Sequence, residues 1–161
     1  MMKVCIVYES RRGSTEKVAR EMAKAVSERA EVRVLRASDN PDVEECDLVI
    51  VGTPIYYERP LPEVKEFLLS KKGLEGKPVA VFILCIADRF GKLGKRYTER
   101  RYLRMITENI KGRIIAIKVL DGWILDENPK TVAEARNWIK RVLDAFEAGR
   151  ELGIEHPEGE R

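Results

Sequence analysis

Glutamine is absent from this chain, histidine occurs once and cysteine three times, and each scarcity narrows the range of functions. The single histidine, His156, lies in a polar stretch near the carboxyl end, and Cys5, Cys46 and Cys85 stand far apart with no C-x-x-C pair. That spacing supports neither a zinc site nor a disulfide framework, so no metal is expected. No apolar run approaches the roughly 18 residues that a spanning helix needs. Residues 1–8 form a short apolar stretch with no small-residue cleavage site behind it, so no secretion signal is read and a cytoplasmic location is expected. Neither G-x-x-x-x-G-K-S/T nor G-x-G-x-x-G occurs, since Gly73-Leu74-Glu75-Gly76-Lys77 runs into Pro78. An ATPase or NAD-binding reading therefore loses its main support.

What is present suits a single hydrophobic core. At 161 residues and 44% hydrophobic composition, the chain fits one domain with one main site. Residues 1–148 read as that domain and 149–161 as a polar tail that frays. Charged residues make up 35% of the chain, a bias common in heat-adapted proteins. The net charge of +3 is small, but residues 89–104 carry Arg89, Lys92, Lys95, Arg96, Arg100, Arg101 and Arg104. Two readings of this run stay open. It is a solvated helix face, or it docks an anionic group such as a propionate-bearing tetrapyrrole, an acidic protein or a lipid surface, which leaves peripheral membrane contact open. A nucleic-acid role is not supported, because no recognised binding module accompanies the charge.

Residues 3–8 form a continuous apolar run rich in β-branched side chains, as a strand buried on both faces of a parallel sheet requires. Similar runs recur at 31–35, 47–51, 78–86 and 113–120. Between them Val18, Met22 and Val26 share one helical face, and Val64, Phe67 and Leu68 share another after Pro62 at a helix-start position. Tyr102, Met105, Ile106 and Ile110 recur at helical spacing, and Val132, Ala135, Ile139, Val142, Leu143 and Phe146 form the strongest apolar stripe. Strands alternating with helices predict an α/β domain, a five-stranded parallel sheet with helices on both faces joined by right-handed crossovers. Ligands in such sheets bind at the carboxyl ends of the strands, where the strand order reverses. The loops at 9–14, 52–60 and 87–95 are the candidates.

Ser10-Arg11-Arg12-Gly13-Ser14-Thr15 links the first strand to its helix. Hydroxyls, a glycine and the N–H groups of a helix start together suit a phosphate. Simple capping by Ser14 or Thr15 explains the same residues, with Glu16 favourable in the first turn. Cys5 and Arg11 also have the C-x5-R spacing of thiol phosphatases, whose cysteine attacks phosphate while the arginine cradles it. Ile6, Val7 and Tyr8 continue the apolar strand past Cys5, which places its sulfur mid-strand, so the phosphatase is a remote alternative.

Flavodoxins carry the pattern T/S-x-T-G-x-T in their FMN phosphate loop, and this loop resembles it through Ser10, Gly13 and Thr15, with Arg12 replacing the middle hydroxyl. A basic residue there is similar to the loop of flavodoxin-type protoporphyrinogen oxidases. Residues 46–62 resemble the flavin-ring loop of flavodoxin-fold oxidoreductases, with Gly52-Thr53-Pro54 followed by Pro62, Phe67 and Leu68. The resemblance covers roughly residues 3–146 and implies a flavodoxin-like three-layer sandwich, strand order 2-1-3-4-5, that binds FMN. It implies a phosphate site at Ser10, Arg11, Arg12, Gly13, Ser14 and Thr15, a hydrogen bond from Thr53 to the ring or ribityl chain, ring packing by Ile55, Tyr56 or Tyr57, and Pro54 as a further cofactor-binding residue. The third loop would close over the pyrimidine side through Ala87, Asp88, Arg89 and Phe90, although its basic wording departs from short-chain flavodoxins.

Two functions fit such a domain. Carriers of this fold are typically acidic so that they meet basic partners, whereas the sequence pI is about 8.7, which favours an FMN-dependent oxidoreductase over a one-electron carrier between proteins. One-electron carriers often use a glycine-containing turn beside the flavin. Residues 53–62 have no glycine and include Pro54, Pro60 and Pro62, a stiff loop suited to two-electron chemistry. Among flavodoxin-fold enzymes the basic loops look most like the protoporphyrinogen oxidases, and a quinone-active enzyme is the neighbouring option. The redox partner is a small molecule or a protein, anionic if the basic run is its dock, and an apolar rim beside the ring leaves a homodimer open. No dedicated acid or base is evident, and Tyr56, Tyr57 and Asp88 are candidates by location only.

Overall fold

The computed structural model describes residues 1–70, 74–86 and 91–158, with 91–98 as backbone only. Strand β1 (Met2–Tyr8) lies between β2 (Ala30–Arg36) and β3 (Leu48–Tyr56), all parallel, with Val4 opposite both Val32 and Leu48. Beyond β3 come β5 (Pro78–Cys85) and β6 (Arg113–Asp121), also parallel, so the five long strands run in the expected 2-1-3-4-5 order. The sheet is nevertheless larger than five strands. A two-residue strand, β4 (Arg59–Pro60), folds back antiparallel onto the end of β3, and β7 (Gly153–Glu155) adds a parallel strand outside β6.

Helices α1 (Ser14–Ala25) and α4 (Pro129–Glu147) cover one face of the sheet, while α2 (Pro62–Ser70) and α3 (Gly91–Thr107) cover the other. Alternation along each strand decides which layer a side chain meets. Val4, Ile6 and Tyr8 join Val18, Met22, Trp138 and Ile139 in one core, and Cys5 and Val7 join Phe67, Leu68, Leu103 and Ile106 in the other. In the first core the Phe82 and Trp138 rings meet edge-on at 6.3 Å, an arrangement worth about 0.5–1.5 kcal/mol beyond its buried area. Phe82 also explains Gly52, its neighbour across the β3–β5 register, because a Cβ at position 52 would overlap the Phe82 ring.

Two expectations are corrected here. Cys5 in β1 and Cys46, just ahead of β3, are joined by a disulfide with a Cα separation of 5.9 Å, within the usual range for such a bond. Both cysteines are buried, and Cys85 lies outside the disulfide. The bond also removes the phosphatase alternative, since Cys5 cannot present a thiolate. The tail expected to fray is docked instead. Lys118, buried in the middle of β6, donates to the His156 carbonyl at 3.0 Å and lies 3.4 Å from Glu134 and 3.8 Å from Glu155, while the His156 ring meets Glu99 of α3 at 3.0 Å. A buried ammonium needs such partners, and the tail supplies two of them.

Candidate functional site

The carboxyl ends of β1 and β3 present the first two candidate loops side by side. Helix α4 opens with its N-terminal groups satisfied, since the Asn128 side chain accepts from the N–H groups of Lys130 and Thr131. Helix α1 opens differently. Its N-cap residue is Gly13 at φ 97°, and no side chain caps it. The capping expected of Ser14 or Thr15 is therefore not what the residues do. The Thr15 hydroxyl is fully buried with no hydrogen-bond partner among the described residues. Native proteins rarely leave a buried hydroxyl unpaired, because doing so costs about 1–3 kcal/mol. An unspent hydroxyl in the first turn, beside N–H groups with no side-chain cap at the positive end of a helix dipole, has the chemistry of an anion site.

The shape of this cradle is set from beneath. Ser10 turns its hydroxyl inward to accept the Gly13 N–H at 2.9 Å, which closes the loop. Gly13 has open space around it but a left-handed backbone that L side chains rarely adopt. Glu9, only 2% exposed, accepts from the Ser38 N–H at 2.9 Å and from Arg36 at 2.7 Å. Arg36 also reaches Glu16 at 3.1 Å and lies over the Tyr8 ring at 5.2 Å. Hydrogen bonding to Glu9 raises the Arg36 pKa above its ordinary value, so the guanidinium is a fixed positive brace under the loop. Sequence reading missed this brace. Its only signal is a glutamate placed directly after an apolar strand, where a loop carboxylate finds a partner from the neighbouring strand.

The two arginines of the loop part company. Arg11 turns to α2 and pairs with Glu63 at 2.7 Å, a contact that raises the guanidinium pKa and holds the Glu63 carboxyl below the usual range. Arg12 is exposed and forms no ion pair among the described residues. Ser14 is half-buried beside it.

The second loop is a hairpin. β3 continues through Pro54 and Ile55 to Tyr56, which pairs with Arg59 of β4, so Tyr57 and Glu58 form a two-residue turn. Both have left-handed backbones, φ 49° and 62°, as a type I′ turn demands. That turn normally takes Asn or Gly, and each ordinary side chain there costs about 1 kcal/mol or more. Thr53 has a different task from the one expected of it. Its buried hydroxyl donates to the Pro54 carbonyl at 2.9 Å and accepts the Leu61 N–H at 3.0 Å, pinning the base of the hairpin. Pro54 is buried, Ile55 and Tyr56 are half-buried, and Tyr57 is 97% exposed. Ala87, Asp88, Arg89 and Phe90 of the third loop lie outside the described residues, and Ile86 before them is exposed. Of the basic run, Arg100, Arg101 and Arg104 are exposed on α3, opposite buried Tyr102, Leu103 and Ile106. Burial raises the Tyr102 pKa, with the Glu58 charge adding to the effect.

An uncapped helix start above a parallel sheet, reached from the end of its first strand and flanked by a hairpin from its third, is a phosphate-binding arrangement at a strand-order reversal. Residues 5–125 match the flavodoxin domain family. This chain belongs to that family. A flavodoxin from Clostridium saccharobutylicum is 36% identical over 87 residues, 50% of this chain and 54% of the relative. The coenzyme F420H(2) oxidase of Methanothermobacter marburgensis is 32% identical over 80 residues, 45% of this chain and 20% of the relative. The matches thus span about half of the first relative and a fifth of the second. A flavodoxin, WrbA-like protein from Agrobacterium tumefaciens superposes with a TM-score of 0.66 at 17% identity, covering 92% of this chain and 99% of that one, which shows the shared fold. FMN is the cofactor of a flavodoxin domain, and the orphaned Thr15 hydroxyl above an uncapped α1 fits its phosphate. Among the described residues no helix is long and apolar enough to cross a membrane.

Proposed function

We propose that this flavodoxin domain serves an FMN-dependent oxidoreductase of the protoporphyrinogen- or quinone-active kind. The observation that carries the proposal is the hairpin: its turn residues are Tyr57 and Glu58, held left-handed without a glycine, and its base is pinned through Thr53. A turn so constrained does not easily re-form around a change in flavin charge, which favours two-electron over one-electron chemistry. Bound FMN supplies reversible electron exchange with an organic substrate or a protein. The chain's own residues bind and orient. Thr15, Ser14 and the first N–H groups of α1 hold the phosphate, Gly13 keeps the loop clear of it, and Ser10 fixes the loop's curvature. Arg12 adds a charge-assisted bond, and Arg11 acts indirectly by tying the loop to α2 through Glu63. Pro54, Ile55 and Tyr56 form the wall for the ring, and Tyr57 stands at its rim.

A cytoplasmic location is part of the same reading, and disulfides such as Cys5–Cys46 do occur in intracellular proteins of hyperthermophiles. A second reading, a one-electron carrier between proteins, is favoured by one observation. Ile86, Ile124 and Leu125 are exposed at the carboxyl ends of β5 and β6, an apolar rim that suits a protein partner. An anaerobic redox titration of the FMN-loaded protein separates the two. A single two-electron wave is expected, and two well-resolved one-electron waves overturn the enzyme reading in favour of the carrier.

A further inference from the structure

Behind the hairpin is a cavity of about 820 Å³, within the range of roughly 300–1,000 Å³ typical of small-molecule sites. The hairpin forms one wall, the loop arginines another, and the end of α3 with Met105 and Glu108 a third. Four of its lining residues are cationic: Arg11, Arg12, Arg59 and Lys65. Arg11 is spent on Glu63 and Arg12 is assigned to the phosphate, but Arg59 and Lys65 have no ion pair among the described residues. Glu108 is the single acid among the described lining residues, so Arg59 and Lys65 leave the hollow net positive, and an anion inside it relieves their repulsion. Tyr57 stands beside them, 97% exposed in a strained turn, where a solvated aromatic ring gains only when something covers it. Pro60, Leu61 and Met105 supply apolar lining between the charges.

We infer that this cavity binds a small planar aromatic molecule carrying at least two acidic groups, with Tyr57 packing on its ring while Arg59 and Lys65 pair with the acids. The cavity's volume suits a ligand of this size rather than the flat face of a protein. Binding stands on the cavity alone; that the ligand lies next to a flavin rests on the reading given under Proposed function.

Anthraquinone-2,6-disulfonate, a planar dianion, is the probe. It is titrated calorimetrically into FMN-loaded protein, wild type and the Arg59→Gln/Lys65→Gln double variant, with flavin fluorescence reporting FMN occupancy in the same samples. Both side chains are exposed, so the double variant is expected to keep the wild-type melting temperature and FMN affinity. Saturable binding is expected at one dianion per chain, weakened roughly tenfold by the double substitution. Binding should also weaken with added salt. Absence of saturable binding to FMN-loaded wild type, or equal affinity in the double variant, overturns the inference. Failure of FMN itself to bind overturns the preceding reading instead, and titration of the FMN-free protein then decides the cavity by the same two results.

Discussion

Replacing Thr15 by valine should move two properties in opposite directions. The hydroxyl is fully buried with no partner among the described residues, and leaving such a group unsatisfied costs about 1–3 kcal/mol. Valine has nearly the same shape, similar helix propensity and no polar atom to desolvate. The FMN-free Thr15→Val protein should therefore be more stable than wild type by about 1–2 kcal/mol, raising the melting temperature by roughly 2–8 °C for a chain of this size. Affinity for FMN should fall, because a hydrogen bond to a charged phosphate contributes about 1.5–3 kcal/mol, or about 10–150-fold in the dissociation constant. Thermal melts with and without saturating FMN, combined with a fluorescence titration, measure both. A variant less stable than wild type without FMN, or one that binds FMN equally well, refutes the claim that this hydroxyl is kept unpaired for the phosphate.

Other outcomes follow from single contacts. Gly52→Ala forces its methyl into the Phe82 ring and should lower stability by about 1–3 kcal/mol, seen as a reduced urea midpoint at unchanged slope. The Cys5–Cys46 bond spans 41 residues, so reducing it should remove about 4 kcal/mol by loop-closure entropy, and alkylation of the unfolded, unreduced protein should label Cys85 alone. Arg11→Met should cost under about 1 kcal/mol at neutral pH, since the pair is partly solvated. Because Arg11 depresses the Glu63 pKa, its stabilisation is complete above the unfolded carboxylate pKa and disappears as pH falls through the depressed folded value. Denaturation curves of wild type and variant should thus converge in acid.

The five long strands and four helices were legible because each buries a continuous run or a stripe of one period. The order of the strands was not in that pattern; it came from the resemblance at residues 10–15 and 46–62. β7 escaped notice because Gly153-Ile154-Glu155 is short and polar, and its docking depends on Lys118, a lysine that reads as surface until β6 is placed inside the sheet. The disulfide was illegible for a similar reason. Cys46 precedes its strand, and only the β1–β3 register brings it to Cys5. At the site, Ser14 and Thr15 read equally as phosphate residues or as caps, and only the structure shows that no side chain caps α1. Thr53 was legible as a site hydroxyl, yet its partners, Pro54 and Leu61, exist only once the hairpin forms. That hairpin has no sequence signal, since Tyr-Glu is not a turn dipeptide.

We propose that the loop at residues 10–15 and the hairpin together hold FMN. Titrating the FMN-free protein with FMN while following flavin fluorescence tests it most directly, with Gly13→Val as the companion variant. Saturation at one FMN per chain, lost when the left-handed Gly13 position is forced to carry a branched side chain, is the predicted result. An unchanged flavin signal at micromolar FMN, or full binding by the variant, would contradict it.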